Sequence, residues 1–408
     1  MPDIAANPAL DRFPAVASSV SGRFLLSELT GSLGDLGTFV PITVAMVQIV
    51  GFDAATVLLC TGLACITAGL VFRAPMPIQP MKAIGALAIA GAMTAGQVSA
   101  AGLTVGICIL LMSLTGLVRW LSRVIPEPAL RGLQMAVAIQ LMIKGVSLAL
   151  FISSSGGLRP FWGPDSLALV AAAALLIILF RRRLELVALG LIAVGFIAAC
   201  FSNPDVICSA GPTLYKPSLP ILDISAISGI WLGGLAQIPL TLLNSVFAVS
   251  ILAGQLFPAN RHRTTPSKIS LSVGLMNLLV CPLGGMPLCH GSGGLAAQYR
   301  FGARSSLAVI IRGAILLVVG LFFGRMALAW MLTFPTSLLG VFLLLAGVGL
   351  AAASKYWQTR LGLVTAAIIA VVHLSTGVLI LGFAFGWLAH AAILRLRPKF
   401  VQLETSSV

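Results

Sequence analysis

The run MPIQPMK at residues 76–82 interrupts an apolar segment and cannot form a continuous helix. Pro77 and Pro80 lack the backbone N–H of a helix interior, and their rings clash with carbonyl groups one turn earlier. A related run, MPLCHGSGG at residues 286–294, opens a second apolar segment with glycines that loosen the backbone. Inside a membrane, irregular backbone is tolerated only where protein buries it or where it lines a cavity. The two runs therefore predict a functional cavity, provided that the chain spans a membrane.

The composition around these runs is that of an integral membrane protein. Of the 408 residues, 59% are hydrophobic and 9% are charged, whereas a soluble domain carries about 25% charged residues. So few charges cannot coat a water-facing surface, so nearly all of the surface must face lipid or other helices. We predict an all-α polytopic protein of the cell membrane, with a bacterial inner membrane favoured.

The apolar segments divide the chain into two sets of seven. We assign 1–22 to a cytoplasmic N-terminal tail, 23–201 to a first seven-segment repeat, 202–223 to an inter-repeat loop, 224–394 to a second seven-segment repeat and 395–408 to a cytoplasmic C-terminal tail. A bilayer core needs about 20 apolar residues per helix. Fourteen transmembrane segments therefore fit the chain, several of them short.

The basic residues support this topology. With both termini inside, nineteen of the 25 Lys and Arg residues fall in tails or connections that would be cytoplasmic, and three fall in outer connections. The remaining three, which lie within segments, are Lys82, Lys144 and Arg312. Because cytoplasmic loops carry an excess of basic residues, this distribution favours fourteen spans with both termini cytoplasmic.

The two halves also repeat a pattern of polar residues. The first segment of each half carries two of them seven residues apart, Glu28 and Asp35 in one and Gln237 and Asn244 in the other. The Met-Pro run follows 42 or 43 residues after the second of each pair. The Met-Pro dipeptides alone could match by chance, but the shared spacing favours a repeat, and an odd number of segments per half makes the halves inverted.

Each broken run predicts an extended stretch followed by a half-helix, in segments 3 and 10, whose N-terminus lies at mid-membrane. A helix N-terminus carries about half a positive charge and free N–H groups, so two that face each other form an anion site. Lys82 adds a full charge and His290 a polar ring. Three local alternatives remain open: Lys82 could snorkel to the interface, His290 could bond a carbonyl in a packed turn, and Gln79 could cap its half-helix.

Glu28 and Asp35 are the carboxylates that we place inside a span, where a charge is costly and usually functional. At positions i and i+7 they share one helix face. A salt bridge to Lys82 or Lys144 would give Asp35 a structural role, and Glu28 could lie at the inner interface.

Three stretches resemble the molybdate transporter family that is related to the sulfate permeases: ELTGSLGDLGTF at 28–39, MPIQPMK at 76–82 and GMPLCHGSGGLA at 285–296. The resemblance covers essentially the whole chain. It implies the seven-plus-seven inverted-repeat fold, with a core domain of segments 1–4 and 8–11 and a gate domain of segments 5–7 and 12–14.

The expected function is secondary active uptake of a tetrahedral oxyanion, molybdate before sulfate, by alternating access with proton coupling as in a symporter. Moving a dianion inward against 100 mV costs about 4.6 kcal/mol, so uptake needs either co-transported cations or exchange for a counter-anion. Asp35 and Glu28 are the candidates for proton coupling. The expected substrate-binding residues are Gln79, Met81, Lys82, Asn244, His290, Gly291 and Ser292. We expect no cofactor, metal or nucleic acid, and leave a homodimer open.

Other functions fit the sequence less well. A protein of the same fold could instead carry a nucleobase or a carboxylate. Permeases for bases typically place carboxylates in segments 8 and 10, where this chain has Gln237, Asn244 and His290, and this difference favours an anion. An intramembrane aspartyl protease would need a second Asp beside Asp35, and no HExxH or GxSxG run is present. The chain is therefore not expected to be an enzyme, whereas an anion channel stays open.

Overall fold

The computed structural model describes residues 22–118, 127–154, 157–160, 164–179, 184–202, 227–352 and 360–396, with single positions at 120, 204, 211, 212 and 214. The tail assigned to 1–22, except Gly22, lies outside the described residues. So do most of the inter-repeat loop at 202–223 and the C-terminal tail beyond Leu396.

The described part of the first half is almost entirely helical. Its α-helices are α1 (Gly22–Leu33), α2 (Leu36–Ala45), α3 (Ala54–Phe72), α4 (Lys82–Ile89), α5 (Ala95–Leu114), α6 (Glu127–Leu150), α7 (Pro164–Leu179) and α8 (Leu184–Ser202). A π-helical turn, Met46–Val50, extends α2. Strand β1 (Gln79–Pro80) precedes α4, and β2 (Phe151–Ser154) pairs with β3 (Gly157–Pro160) in a hairpin after α6.

The second half follows a similar order. It comprises α9 (Leu235–Leu240), α10 (Ala248–Leu256), α11 (Pro266–Val280), β4 (Leu288–Cys289), α12 (Ser292–Arg300), α13 (Leu307–Phe322), α14 (Gly324–Thr333), α15 (Thr336–Ala352), α16 (Arg360–Thr376) and α17 (Leu379–Leu396). Two π-helical turns, Ile230–Gly234 and Thr241–Phe247, flank α9, so that residues 230–256 form one irregular helical stretch.

Several helices are suited to a bilayer. In the described ranges, five helical stretches are long and apolar enough to cross a membrane, or six if α13 and α14, which are bent by 96°, count as one. Shorter apolar helices, among them α11, α15, α16 and α17, accompany them. The chain is therefore a mostly helical multi-pass membrane protein, as its composition predicted.

Small residues bring the helices into close contact. A Cβ on Gly62 of α3 would lie 2.8 Å from the carbonyl oxygen of Gly313 on α13, and one on Gly313 would lie 2.7 Å from that of Gly62. The α6–α15 interface is similarly tight at Gly145, where a Cβ would lie 2.7 Å from the Gly340 carbonyl. Lipid tails are as apolar as leucine, so close van der Waals packing of this kind holds membrane helices together.

The two broken runs meet in the interior. β1 and β4 are buried and pair antiparallel, with Gln79 opposite Cys289 and Pro80 opposite Leu288. Next to the pair, the Met81 N–H donates to the carbonyl of Pro287 over 2.9 Å. Helices α4 and α12 begin directly after the strands. With eight residues, α4 is about 12 Å long at 1.5 Å per residue, less than half of a bilayer core of about 30 Å.

Candidate functional site

A cavity of about 300 Å³ lies between the broken runs and the α6–α15 pair. One wall is formed by Gly34, Gly37, Thr38, Ile42, Lys82, Asn244, Ser292, Gly293 and Ala297. The other wall is formed by residues of α6, α8 and α15, namely Gln134, Leu141, Ala188, Phe342, Leu345, Ala346, Val348, Gly349 and Leu350. Helices α4 and α12 both begin at this cavity, because their first residues, Lys82 and Ser292, line it.

The cavity has a positive lining. Lys82 is the first residue of α4 and is half-buried. Among the residues that the structure describes, those lining the cavity include no Asp or Glu. Asn244, Gln134 and Ser292 supply neutral amide and hydroxyl groups. The structure thus brings together three of the residues predicted from sequence, Lys82, Asn244 and Ser292.

Gln79 and Asp35 lie behind the cavity wall in a buried charged network. The Gln79 amide donates to Oδ1 of Asp35, and Arg312 Nη1 donates to Oδ2 of the same carboxylate over 2.6 Å. Arg312 Nη2 also donates to the carbonyl of Ile78, just before β1. The salt bridge considered for Asp35 therefore exists, but its partner is Arg312 and not Lys82 or Lys144.

Arg312 is a residue that the sequence reasoning missed. The sequence places it within a segment. The available signal was its charge, because an arginine inside a membrane span is a functional candidate by default and needs a named partner.

His290 faces away from the cavity. Its Nδ1 is 3.0 Å from the carbonyl oxygen of Pro77, and its Nε2 is 3.1 Å from Oγ of Ser272 on α11. The ring is fully buried and contacts Phe72 edge to face at 5.4 Å between centroids. The local alternative for His290, a bond to a carbonyl in a packed turn, describes its position, and the residue ties the two runs to α11.

Met81 and Gly291 are the residues that directly precede α4 and α12. The Met81 N–H is occupied by Pro287, and its side chain is buried. Gly291 lies against the Gln79 carboxamide, with no room for a Cβ. Both residues therefore shape the starts of the helices and do not line the cavity.

Glu28 is also outside the cavity. Its Oε1 accepts the backbone N–H groups of Arg304 at 2.8 Å and Ser305 at 3.0 Å, and its Oε2 accepts that of Ala308 at 3.1 Å. These groups lie at the start of α13, where helical N–H donors have no partner within the helix. Glu28 thus caps α13 from α1.

Two further amides, which the sequence reasoning did not assign to the site, support it. Gln237 Oε1 accepts the N–H groups of Ala83 at 2.9 Å and Ile84 at 3.3 Å, and so caps α4. Asn277 of α11 holds Leu288 of β4 through both groups: its Nδ2 donates to the carbonyl over 2.7 Å, and its Oδ1 accepts the N–H over 2.8 Å. A buried Asn in an apolar segment was the sequence signal for the second.

The described ranges hold no cluster of three or more His, Cys, Asp or Glu side chains that could bind a metal ion. The described groups at the cavity are an ammonium group, amides, a hydroxyl and two helix N-termini. Groups of this kind favour negative charge.

Sequence comparisons agree with this chemistry. A family profile described as "Molybdate transporter of MFS superfamily" matches residues 27–141 and 229–350. The chain is 37% identical to Molybdate transporter 2 of Arabidopsis thaliana, over 94% of this chain and 89% of that protein. It is 33% identical to Molybdate transporter 1 of Chlamydomonas reinhardtii, over 90% of this chain and 91% of that protein.

Solved structures show the fold. The transmembrane domain of the cyanobacterial bicarbonate transporter BicA matches with a TM-score of 0.63 at 17% identity, over 91% of this chain and 98% of that one. Murine Slc26a9, an anion transporter in the inward-facing state, matches with a TM-score of 0.66 at 11% identity, over 93% of this chain and 69% of that one. At such identities the likeness concerns the fold alone. Because the profile and the relatives match both halves of the sequence, the chain belongs to the molybdate transporter family, and its fold is that of the sulfate-permease-related BicA and Slc26 proteins.

Proposed function

We propose that the protein takes up a tetrahedral oxyanion, molybdate, by secondary active transport. The observation that carries the proposal is the position of Lys82 in a cavity at which two helices begin. Each helix N-terminus contributes about half a positive charge and the ammonium group contributes one, so the site offers about two charges to a dianion.

The two helix ends have different donors to offer. The N–H groups of Ala83 and Ile84 in α4 already donate to Gln237. The N-cap residue of α12 is Gly291, which has no side chain that could accept the N–H groups of that helix. We therefore assign backbone donation to α12, at Ser292 and Gly293, and charge to Lys82 of α4. Asn244 completes the ring of polar groups, while Gln79, Met81, His290 and Gly291 position the helices.

The proposed mechanism is alternating access in a fourteen-segment inverted repeat, with α4 and α12 as half-helices of segments 3 and 10. The two cavity walls come from segments assigned to different domains: the broken runs and residues 230–256 from the core, and α6, α8 and α15 from the gate. Movement of one wall against the other would open the cavity to one side at a time. Both termini are proposed to be cytoplasmic.

Proton coupling is part of the proposal, because uptake of a dianion against the membrane potential needs an energy source. Asp35 and Glu28 both connect the first segment to α13, one through Arg312 and the other through backbone N–H groups. Protonation of either carboxylate would weaken that connection. A proton could thereby change how the first segment packs on α13 while the substrate is bound.

Sulfate is the alternative substrate, since it has the same charge and shape. A nucleobase is less well matched, because no carboxylate lies among the described lining residues to accept ring N–H groups. A channel would share the site but would not concentrate its ion.

The test is uptake of labelled molybdate into proteoliposomes, with unlabelled molybdate, tungstate, sulfate or uracil as competitors. We expect saturable, concentrative uptake that requires an inward proton gradient, is blocked by tungstate and is unaffected by uracil.

The variant Lys82→Ala tests the site itself. It removes a charge-assisted contact worth about 2 kcal/mol, so we expect it to weaken molybdate binding about 30-fold. Lys144→Ala, which removes a charge from α6 outside the cavity lining, is the matched control.

Unchanged affinity in Lys82→Ala would contradict the proposed site. Gradient-independent flux that never exceeds equilibrium would indicate a channel. Gradient-dependent uptake that persists in both Asp35→Asn and Glu28→Gln would exclude these carboxylates as the coupling groups.

A further inference from the structure

A second cavity, of about 720 Å³, lies between α3 and α11, away from the proposed anion site. Its walls are apolar along most of their length. Leu63 of α3 and Leu279 of α11 are 57% and 67% exposed, so the groove opens on the outer surface of the helix bundle. In a membrane, this surface faces lipid.

One end of the groove is basic. Arg263 and Lys268 both line it. Arg263 Nη1 donates to the carbonyl of Val71 at the end of α3 over 3.2 Å, and Lys268 Nζ donates to that of His262 over 2.8 Å. These bonds hold both cationic groups at the mouth of the groove, with further N–H donors on each.

Two more features make this end suited to an anion. Helix α11 begins at Pro266 beside the two cations, and Thr265 makes no side-chain hydrogen bond to its N-terminus. Within the described part of the chain, the residues lining the groove include no carboxylate that would neutralise Arg263 or Lys268. Positive charge and free helix N–H groups therefore coincide at the mouth of an apolar channel.

We propose that this groove binds an anionic phospholipid, with the phosphate at Arg263 and Lys268 and one acyl chain between α3 and α11. The lining runs from Cys60 to Val71 along α3, a length of about 17 Å at 1.5 Å per residue, which suits a long acyl chain. Basic pockets between membrane helices bind anionic lipid head groups. An acyl chain gains little by leaving the bilayer, so the charges supply the selectivity.

The bound lipid would contact Ser272, a residue that holds His290 next to the first broken run. Ser272 lines the groove, and its Oγ is also 3.1 Å from Nε2 of His290. His290 in turn contacts Pro77 in the first broken run. The groove is thus linked to the first broken run through the Ser272 hydroxyl and the His290 ring.

The test is native mass spectrometry of the purified protein with equal amounts of phosphatidylglycerol and phosphatidylcholine. We expect phosphatidylglycerol adducts to exceed phosphatidylcholine adducts at least tenfold, and Arg263→Gln/Lys268→Gln to abolish that preference. Arg325→Gln/Arg395→Gln removes two exposed charges elsewhere and should retain it. Leu279→Trp, which narrows the apolar part, should weaken phosphatidylglycerol binding while both cations remain.

Size-exclusion elution and lipid-free melting temperature establish that each variant is folded. Equal binding of the two lipids, or equal loss of preference in both double variants, would overturn the proposal. So would displacement of phosphatidylglycerol by millimolar inorganic phosphate, since that result would assign the site to free phosphate.

Discussion

The two broken runs that meet in the β1–β4 pair are held by different chemistry. The first is held by charge: Arg312 donates to the carbonyl of Ile78, and its salt bridge with Asp35 is shared by Gln79. The second is held by neutral groups: Asn277 bonds both polar groups of Leu288.

This difference bears on the electrostatics of the cavity. Asp35 is buried close behind the wall that carries Lys82. An uncompensated carboxylate there would oppose the binding of an anion. Because Arg312 neutralises Asp35, the positive charge of Lys82 remains available to the cavity. A neutral support suffices on the other side, where the second run contributes helix N–H groups and no charge.

Arg312→Met should therefore have the largest effect. It leaves Asp35 buried without its cation, and breaking a buried ion pair costs about 3–5 kcal/mol. We expect a loss of this size in the free energy of unfolding, measured by denaturant titration in detergent. Adding Asp35→Asn to the variant should restore part of the stability, since the unpaired charge is then gone. If Arg312→Met lost no more free energy of unfolding than Asn277→Leu, which removes the neutral support of the second run, the distinction between the two runs would not hold.

Asn277→Leu tests the neutral support. It removes both partners of Leu288 and leaves a buried N–H and carbonyl unsatisfied, at about 1–3 kcal/mol for each such group. We expect a total loss at the lower end of the sum for the two groups, about 2–3 kcal/mol, in the same titration. Asn277→Asp keeps an acceptor for the Leu288 N–H but loses the donor, so it separates the two bonds. Equal stability of wild type and Asn277→Leu would show that β4 is held by other contacts.

Gln237→Ala tests the cap that α4 receives. It removes the acceptor for the N–H groups of Ala83 and Ile84, and the loss of a helix cap costs about 1 kcal/mol. The freed donors lie next to Lys82, so molybdate affinity should be kept or increased while stability falls. Gln237→Glu, which retains an acceptor but adds a negative charge beside the cavity, should weaken molybdate binding. A parallel fall of stability and affinity in Gln237→Ala would instead indicate that the cap holds Lys82 in place.

Ser272→Ala should give the smallest effect. It removes one hydroxyl from Nε2 of His290, and a neutral hydrogen bond contributes about 0.5–1.5 kcal/mol. The bond from His290 to the carbonyl of Pro77 is retained, so we expect a loss at the lower end of that range by thermal unfolding. Ser270→Ala, which removes a hydroxyl bonded within α11, is the matched control. A large loss would mean that His290 depends on Ser272 for its position.

The features that sequence predicted well depend on local chemistry. The membrane class follows from the scarcity of charge, and the interruptions at 76–82 and 286–294 follow from proline and glycine. Each run is followed by a short helix, which begins at Lys82 after the first run and at Ser292 after the second. The side chains at those starts line the cavity.

What sequence could not supply was the direction in which each buried polar group points. Asp35 and Arg312 are 277 residues apart, and no spacing rule links them. His290 directly precedes Gly291, yet it does not line the cavity, and its ring contacts Pro77, Ser272 and Phe72 instead. Successive side chains of an extended chain point to opposite faces, so neighbours in sequence need not share a site. Gln237 and Asn244 share the spacing of Glu28 and Asp35, but one caps a helix and the other lines the cavity.

Ribosomal synthesis delivers the two paired strands at very different times. His290 bonds the carbonyl of a residue 213 positions earlier, and at about 5–20 residues per second that separation corresponds to about 10–40 s of translation. Throughout this interval β1 has no partner strand, and for much of it α4 lacks its glutamine cap. The central cavity is consequently among the last parts of the protein to be assembled, and a nascent chain released before residue 288 contains membrane helices but lacks the part of the cavity lining that α12 supplies, Ser292, Gly293 and Ala297.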